Sequence, residues 1–85
     1  MRIDLNAMEV GDKVENIFIP KTIYIQEHKM LQRISDRWFI NEKYDKVLIF
    51  DDDIAYDNKK EAQEALLENL EAKIKEVKDE LAGMV

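Results

Sequence analysis

The chain has no cysteine, which leaves it without a disulfide framework or a thiolate metal site. Its single proline is Pro20, and its only glycines are Gly11 and Gly83. A glycine-rich phosphate loop is therefore excluded, because such a loop needs several closely spaced glycines to bring backbone N–H groups onto the phosphates. Catalytic residue types are equally sparse: His28, Ser35 and Thr22 are the sole histidine, serine and threonine. Nucleophilic or acid–base chemistry needs such groups in partnered sets. His28 lies in the polar stretch Gln26-Glu27-His28-Lys29, which reads as a turn. Ser35 precedes Asp36 in a turn-like pair without an elbow motif, so a surface role is expected for all three. Apolar runs are short, as in Val47 to Phe50, far below the ~20 residues that span a bilayer. The opening Met1-Arg2-Ile3-Asp4-Leu5 alternates charged and apolar residues and does not resemble a signal peptide. These absences predict a cytoplasmic chain with no membrane partner.

The balance of charge narrows the partners further. The formal net charge is −6, from 13 basic and 19 acidic residues, and the isoelectric point is about 4.7. Binding to nucleic acid or anionic lipid is driven by Lys and Arg that displace counterions, so neither partner is expected. Hydrophobic residues make up 46% of the chain, too many for a disordered segment and enough for a folded core. With 85 residues the chain is one small domain, and domains of this size bury only ~60% of the surface exposed on unfolding. Without disulfide or thiolate-bound metal, oligomerisation is the stabilising device that remains.

What is present divides near Asp57. Residues 1–57 carry short β-branched and aromatic runs: Ile17 to Ile19, Ile23 to Ile25, Trp38 to Ile40 and Val47 to Phe50, with Ile54 to Tyr56 as a last short strand. Gly11-Asp12, Pro20-Lys21, Ser35-Asp36, Asn41-Glu42 and Asp51 to Asp53 supply the turns between them. Residues 58–85 contain no aromatic residue and no proline, and Ala, Leu, Glu and Lys dominate. Asn58-Lys59-Lys60-Glu61 resembles a capping box and Gly83 a helix stop. The predicted fold is α+β: a small antiparallel barrel or curled sheet of four to five strands, followed by one long C-terminal helix.

That helix carries the sharpest pattern. Leu67, Leu70, Ile74, Val77, Leu81 and Met84 follow a 3-4-3-4-3 spacing, the a/d seam of a helix that packs on another helix. Ala62, Ala65 and Leu66 in the first turns are suited instead to close docking on the β module. With Leu67 at a, Glu71 and Lys78 occupy e, and Lys73 and Glu80 occupy g. A parallel pair would oppose Lys73 and Lys78. An antiparallel pair would oppose Glu71 to Lys78 and Lys73 to Glu80, each worth only ~0.2–1 kcal/mol when exposed. A homodimer through residues 67–84 is therefore expected, the alternative being a seam folded back on its own β module.

Asp51, Asp52 and Asp53 form the densest charge cluster. They lack the alternating ligands and glycine of a calcium loop, so an acidic surface that baits a basic protein is the preferred reading, with no metal or other cofactor. Trp38 and Phe39 are adjacent and face opposite sides of a strand, so one fills the core and the other can anchor a partner. The predicted partner-binding set is Asp51, Asp52, Asp53, Trp38 and Phe39, with no catalytic residues.

Two segments show a resemblance. Met8-Glu9-Val10-Gly11-Asp12-Lys13-Val14 is similar to the opening of many small SH3-like β-barrel proteins of bacteriophages and Gram-positive bacteria. Ile54 to Leu66 resembles their closing strand and Glu-Ala-rich helix start. The resemblance covers about a quarter of the chain. It implies a barrel-like module plus helix, and an accessory protein of a phage or mobile element. The expected function is non-enzymatic inhibition of a host protein with a basic surface, such as a nucleic-acid-handling defence enzyme, in the host cytoplasm. The alternatives are a small-ligand module, such as a sponge for a nucleotide signal, and a structural assembly factor.

Overall fold

The computed structural model describes residues 1–84. Gly11 adopts φ +96°, a conformation open to glycine and strained for other residues, and starts the turn into the first long strand. The Asp12 carboxylate closes that turn by accepting from Glu9 N, while Gly11 N donates to Arg33 O. Six strands follow one another as β1 (Arg2–Ile3), β2 (Lys13–Pro20), β3 (Ile25–Arg33), β4 (Trp38–Asn41), β5 (Lys46–Leu48) and β6 (Ala55–Tyr56). All pairings are antiparallel, and the sheet order is β1-β6-β2-β3-β4-β5. A 3-10 turn, Leu5–Ala7, drops Leu5 into the core. The helix α1 (Lys59–Gly83) ends the fold. The α+β class is thus as the composition predicts: a curled open antiparallel sheet and one long helix.

The strand count is higher than the four to five expected. The additional strand is β1, which pairs Arg2 with Tyr56 and Ile3 with Ala55; two residues are too few to show a period. The second strand also lies later than expected. Ile23 and Tyr24 sit in the turn after β2, where Lys21 N donates to Tyr24 O, and β3 runs through the polar stretch read as a turn. Pro20 ends β2 opposite Ile25, where the ladder no longer needs its missing N–H.

Strand β2 carries one irregularity. Asn16 takes φ +54°, which asparagine tolerates better than most residues, and it breaks the alternation of β2. Val14 and Ile17, three apart, both pack in the core. Opposite them, Leu31 and His28 are likewise three apart and both buried. The inner face closes on Leu5, Ile17, Ile19, Leu31, Phe39, Val47, Ile49 and Ala55. Helix α1 lies against β2, β6 and β3.

Asn58 caps α1, its side chain accepting from Glu61 N at 2.9 Å. The Met1 ammonium lies 2.7 Å from Asp57 and 2.6 Å from Glu61, tying β1 to the helix start. Ala62 is fully buried, with Ala65, Leu66 and Leu70 half-buried, so docking reaches one turn beyond the expected Ala62, Ala65 and Leu66. From residue 71 to 84 every residue is exposed. The molecule measures 53 × 25 × 22 Å, and the distal helix stands off the β module rather than folding back on it.

Candidate interaction surfaces

The aspartate turn is built by its last member. Asp53 accepts from Phe50 N at 2.9 Å and from Lys21 Nζ at 3.1 Å, with both side chains of the ion pair largely buried. Asp53 is therefore a structural pin between the β5–β6 connection and the turn after β2, its charge offset by Lys21. Asp51 and Asp52 remain exposed. Asp51 has Arg37 at 3.4 Å, a solvent-exposed pair of little strength.

Tertiary structure adds Asp4. Asp4 joins Asp51, Asp52 and the largely buried Asp53 in lining one open groove of about 550 Å³ between the N-terminal segment and the aspartate turn, with Arg2, Ile3, Asn6 and Ile54 also on its wall. Sequence reasoning missed Asp4, because it lies 47 positions from Asp51 and no local pattern links the two. No cluster suited to hold a metal ion occurs among the described residues.

Trp38 and Phe39 separate as a strand requires. Trp38 pairs with Leu48 and is 42% exposed; Phe39 pairs with Val47 and is wholly buried. Phe39 is a core residue, and its place in the expected binding set is corrected accordingly. Its ring lies 5.9 Å from the Arg33 guanidinium. Arg33 is a second residue whose importance the sequence conceals. It donates to the carbonyls of Asn6, Met8, Ser35 and Asp36, clamping the N-terminal segment to the β3–β4 turn.

His28 corrects another expectation. It is only 7% exposed, and neither ring nitrogen has a hydrogen-bond partner among the described residues. Burial lowers its pKa below the usual histidine value; nearby Glu42 opposes that shift and Lys21 reinforces it. Asn16, Phe18, Glu27, Lys29 and Glu42 line the shallow recess around it. Glu42 accepts from Lys29 N at 3.2 Å, and its carboxylate is held below the ordinary range chiefly by backbone N–H donors, its own first.

The helix seam is an exposed apolar stripe without a partner among the described residues. Leu67, Ile74, Val77, Leu81 and Met84 are all between 41% and 78% exposed, and Leu70 is half-buried. Met84 is the C-cap, with its N–H on Leu81 O. Ile74 and Val77 floor a groove rimmed by Lys73 and Lys78 and closed at its inner end by Leu70.

Compared with protein-family models, curated proteins and solved structures, the chain matches none. No helix of the described residues is long and apolar enough to cross a membrane.

Proposed function

We propose that this chain is a non-enzymatic protein-binding module that occupies a basic surface on a host protein. The observation that carries the reading is the open groove walled by Asp4, Asp51 and Asp52, all three exposed. Carboxylates grouped on one surface of a chain with net charge −6 steer a basic partner and suppress wrong ones. Trp38, on the outer side of β4 next to Arg37 and thus to Asp51, supplies burial for a partner to cover. The resemblance at Met8 to Val14 and Ile54 to Leu66 adds the source: an accessory protein of a phage or mobile element, acting in the host cytoplasm. A nucleic-acid-handling defence enzyme, with its basic channel, is the target class that fits such a face. A nucleotide sponge is less well supported, because several basic side chains of the β module and helix start are already engaged. Lys21 is held by Asp53, Arg33 by backbone carbonyls and Lys59 by Glu27.

The test starts with affinity capture of the target from host lysate, followed by association kinetics with the purified partner. Asp51→Asn/Asp52→Asn, which spares Asp53 and so the fold, should slow association about tenfold or more at low salt, the scale on which electrostatic steering acts. Raising the salt should slow the unaltered chain toward the double variant. A partner bound equally fast by both chains at every salt concentration defeats the proposal.

A further inference from the structure

The exposed seam of α1 does not end where the helix meets the β module. Leu70 and Lys73 line two grooves at once. One is the apolar groove over Ile74 and Val77; the other runs at the foot of the helix between Ile23 of the β2–β3 turn and Phe50. Ile23 is 75% exposed and Phe50 47% exposed, although both are large apolar side chains. Leu70 and Lys73 thus join the apolar patch over Ile74 and Val77 to a foot groove in which Ile23 and Phe50 sit among Lys21, Thr22, Asp52, Asp53 and Asn69. We propose that a second copy of this chain covers both, its α1 lying antiparallel so that the last turn of each helix seats in the foot groove of the other.

Three observations select this occupant. The first is charge. Lys73 and Lys78 rim the Ile74–Val77 patch, so an occupant that brings carboxylates to both is favoured over one that brings lysines. An antiparallel copy brings Glu80 to Lys73 and Glu71 to Lys78, and by symmetry repeats both pairs, giving four attractive contacts. A parallel copy opposes Lys73 to Lys78 twice.

The second is register. The same arrangement that matches the charges sets Ile74 against Val77, Leu70 against Leu81 and Leu67 against Met84 of the second copy. The apolar pairings centre between Lys75 and Glu76, and the two ionic pairings fall one residue to either side of that point.

The third is the foot groove itself. A seam of under three heptads is short for an isolated coiled coil, and a helix pair alone buries little beside the ~1,200 Å² or more of a specific interface. In the antiparallel register the turn carrying Leu81 and Met84 of the second copy arrives level with Leu70, beside Ile23 and Phe50. The β module then contributes to the interface, and each copy completes a groove that is open in the other. Lys73 is paired with Glu76 only at 3.7 Å along its own helix, so it is free to turn toward the incoming Glu80.

This assembly does not rest on the identity of any host partner, and its test needs none. Sedimentation equilibrium of the full chain should give a dimer. Ile74→Asp places a charge at the centre of the seam and should give a monomer. Its circular dichroism should stay native, because Ile74 touches nothing in the β module. Ile23→Asp, far from the seam in sequence, should raise the dissociation constant about tenfold or more, equivalent to about 1.4 kcal/mol. Because the chain has no cysteine, Glu71→Cys/Lys78→Cys reports orientation cleanly. A short, flexible bis-maleimide should cross-link it into a covalent dimer, because the antiparallel pair sets position 71 beside position 78 of the second copy, whereas a parallel pair holds the e positions on opposite sides of the seam. A chain that stays monomeric at 100 µM-scale concentrations, about the range over which weak dimers form, overturns the proposal. So does a dimer that Ile74→Asp leaves intact, an Ile23→Asp chain that dimerises as tightly as the unaltered one, or a double-cysteine chain that dimerises but does not cross-link.

Discussion

His28 shows how a single residue can tie the stability of this fold to pH. In the unfolded chain its pKa is about 6.5, whereas in the fold burial lowers it and keeps the imidazole neutral. Below pH ~6.5 the unfolded chain therefore takes up a proton that the folded chain refuses. The contribution is intact above pH ~6.5 and is lost as pH falls through the folded value, at no more than ~1.4 kcal/mol per pH unit. The depressed carboxyls of Glu42, Asp57 and Glu61 act only at more acidic pH, below their unfolded values near 4. Between pH 7.5 and 5.5, urea unfolding should show a falling midpoint for the unaltered chain and a nearly flat one for His28→Gln. Parallel slopes for the two would mean that His28 titrates in the fold as it does in the open chain. Its burial was hidden in the sequence because Gln26 to Lys29 reads as a polar turn. In the structure that stretch is part of β3, where His28 pairs with the buried Ile17 and is itself buried.

Among the elements, α1 was the most legible and the two-residue strands the least. Residues that favour a helix individually follow Asn58 without interruption, and the cap is local chemistry, visible as Asn58 and Glu61 three apart. The structure realises that cap, with Glu61 N on the Asn58 side chain. Asn58→Ala should cost ~1 kcal/mol, and Asn58→Gly only a few tenths, because glycine keeps the extended cap backbone and lets water reach the freed N–H groups. Thermal unfolding of the two variants measures the difference; equal losses would assign the effect to packing rather than capping. Strand β1 had no comparable signature. It exists because β6 offers an open edge to Arg2 and Ile3, a pairing across more than fifty positions.

For the whole molecule, the consequence of the fold is a division of labour along its 53 Å length. One end is the curled sheet with its own core. The other is a helix segment, residues 71–84, exposed on every side. Folding of the β module should not depend on that segment. A chain ending at Lys75 keeps Ala62, Ala65, Leu66 and Leu70 on the sheet and should stay folded as a monomer. Its melting temperature should be independent of concentration, whereas that of the full chain should rise with concentration, as linkage to self-association requires. Differential scanning calorimetry at two concentrations tests this, and a truncated chain that fails to fold would place part of the core energy in the distal helix.

The sequence by itself determined the class of the fold, the position of the helix, its cap and its apolar seam. All four follow from periodicity and propensity, which act between residues a few positions apart. It also determined that Trp38 and Phe39 part company, since neighbours in a strand always do. Tertiary structure alone decided which of the two is inside. It also decided that Asp53 is consumed by Lys21, that Asp4 joins Asp51 and Asp52, and that the seam reaches Ile23 and Phe50. Each of these depends on residues distant in sequence meeting across a curled sheet. Within β2 the left-handed Asn16 lets Val14 and Ile17, three apart, both face the core, and no repeat in the sequence announces it.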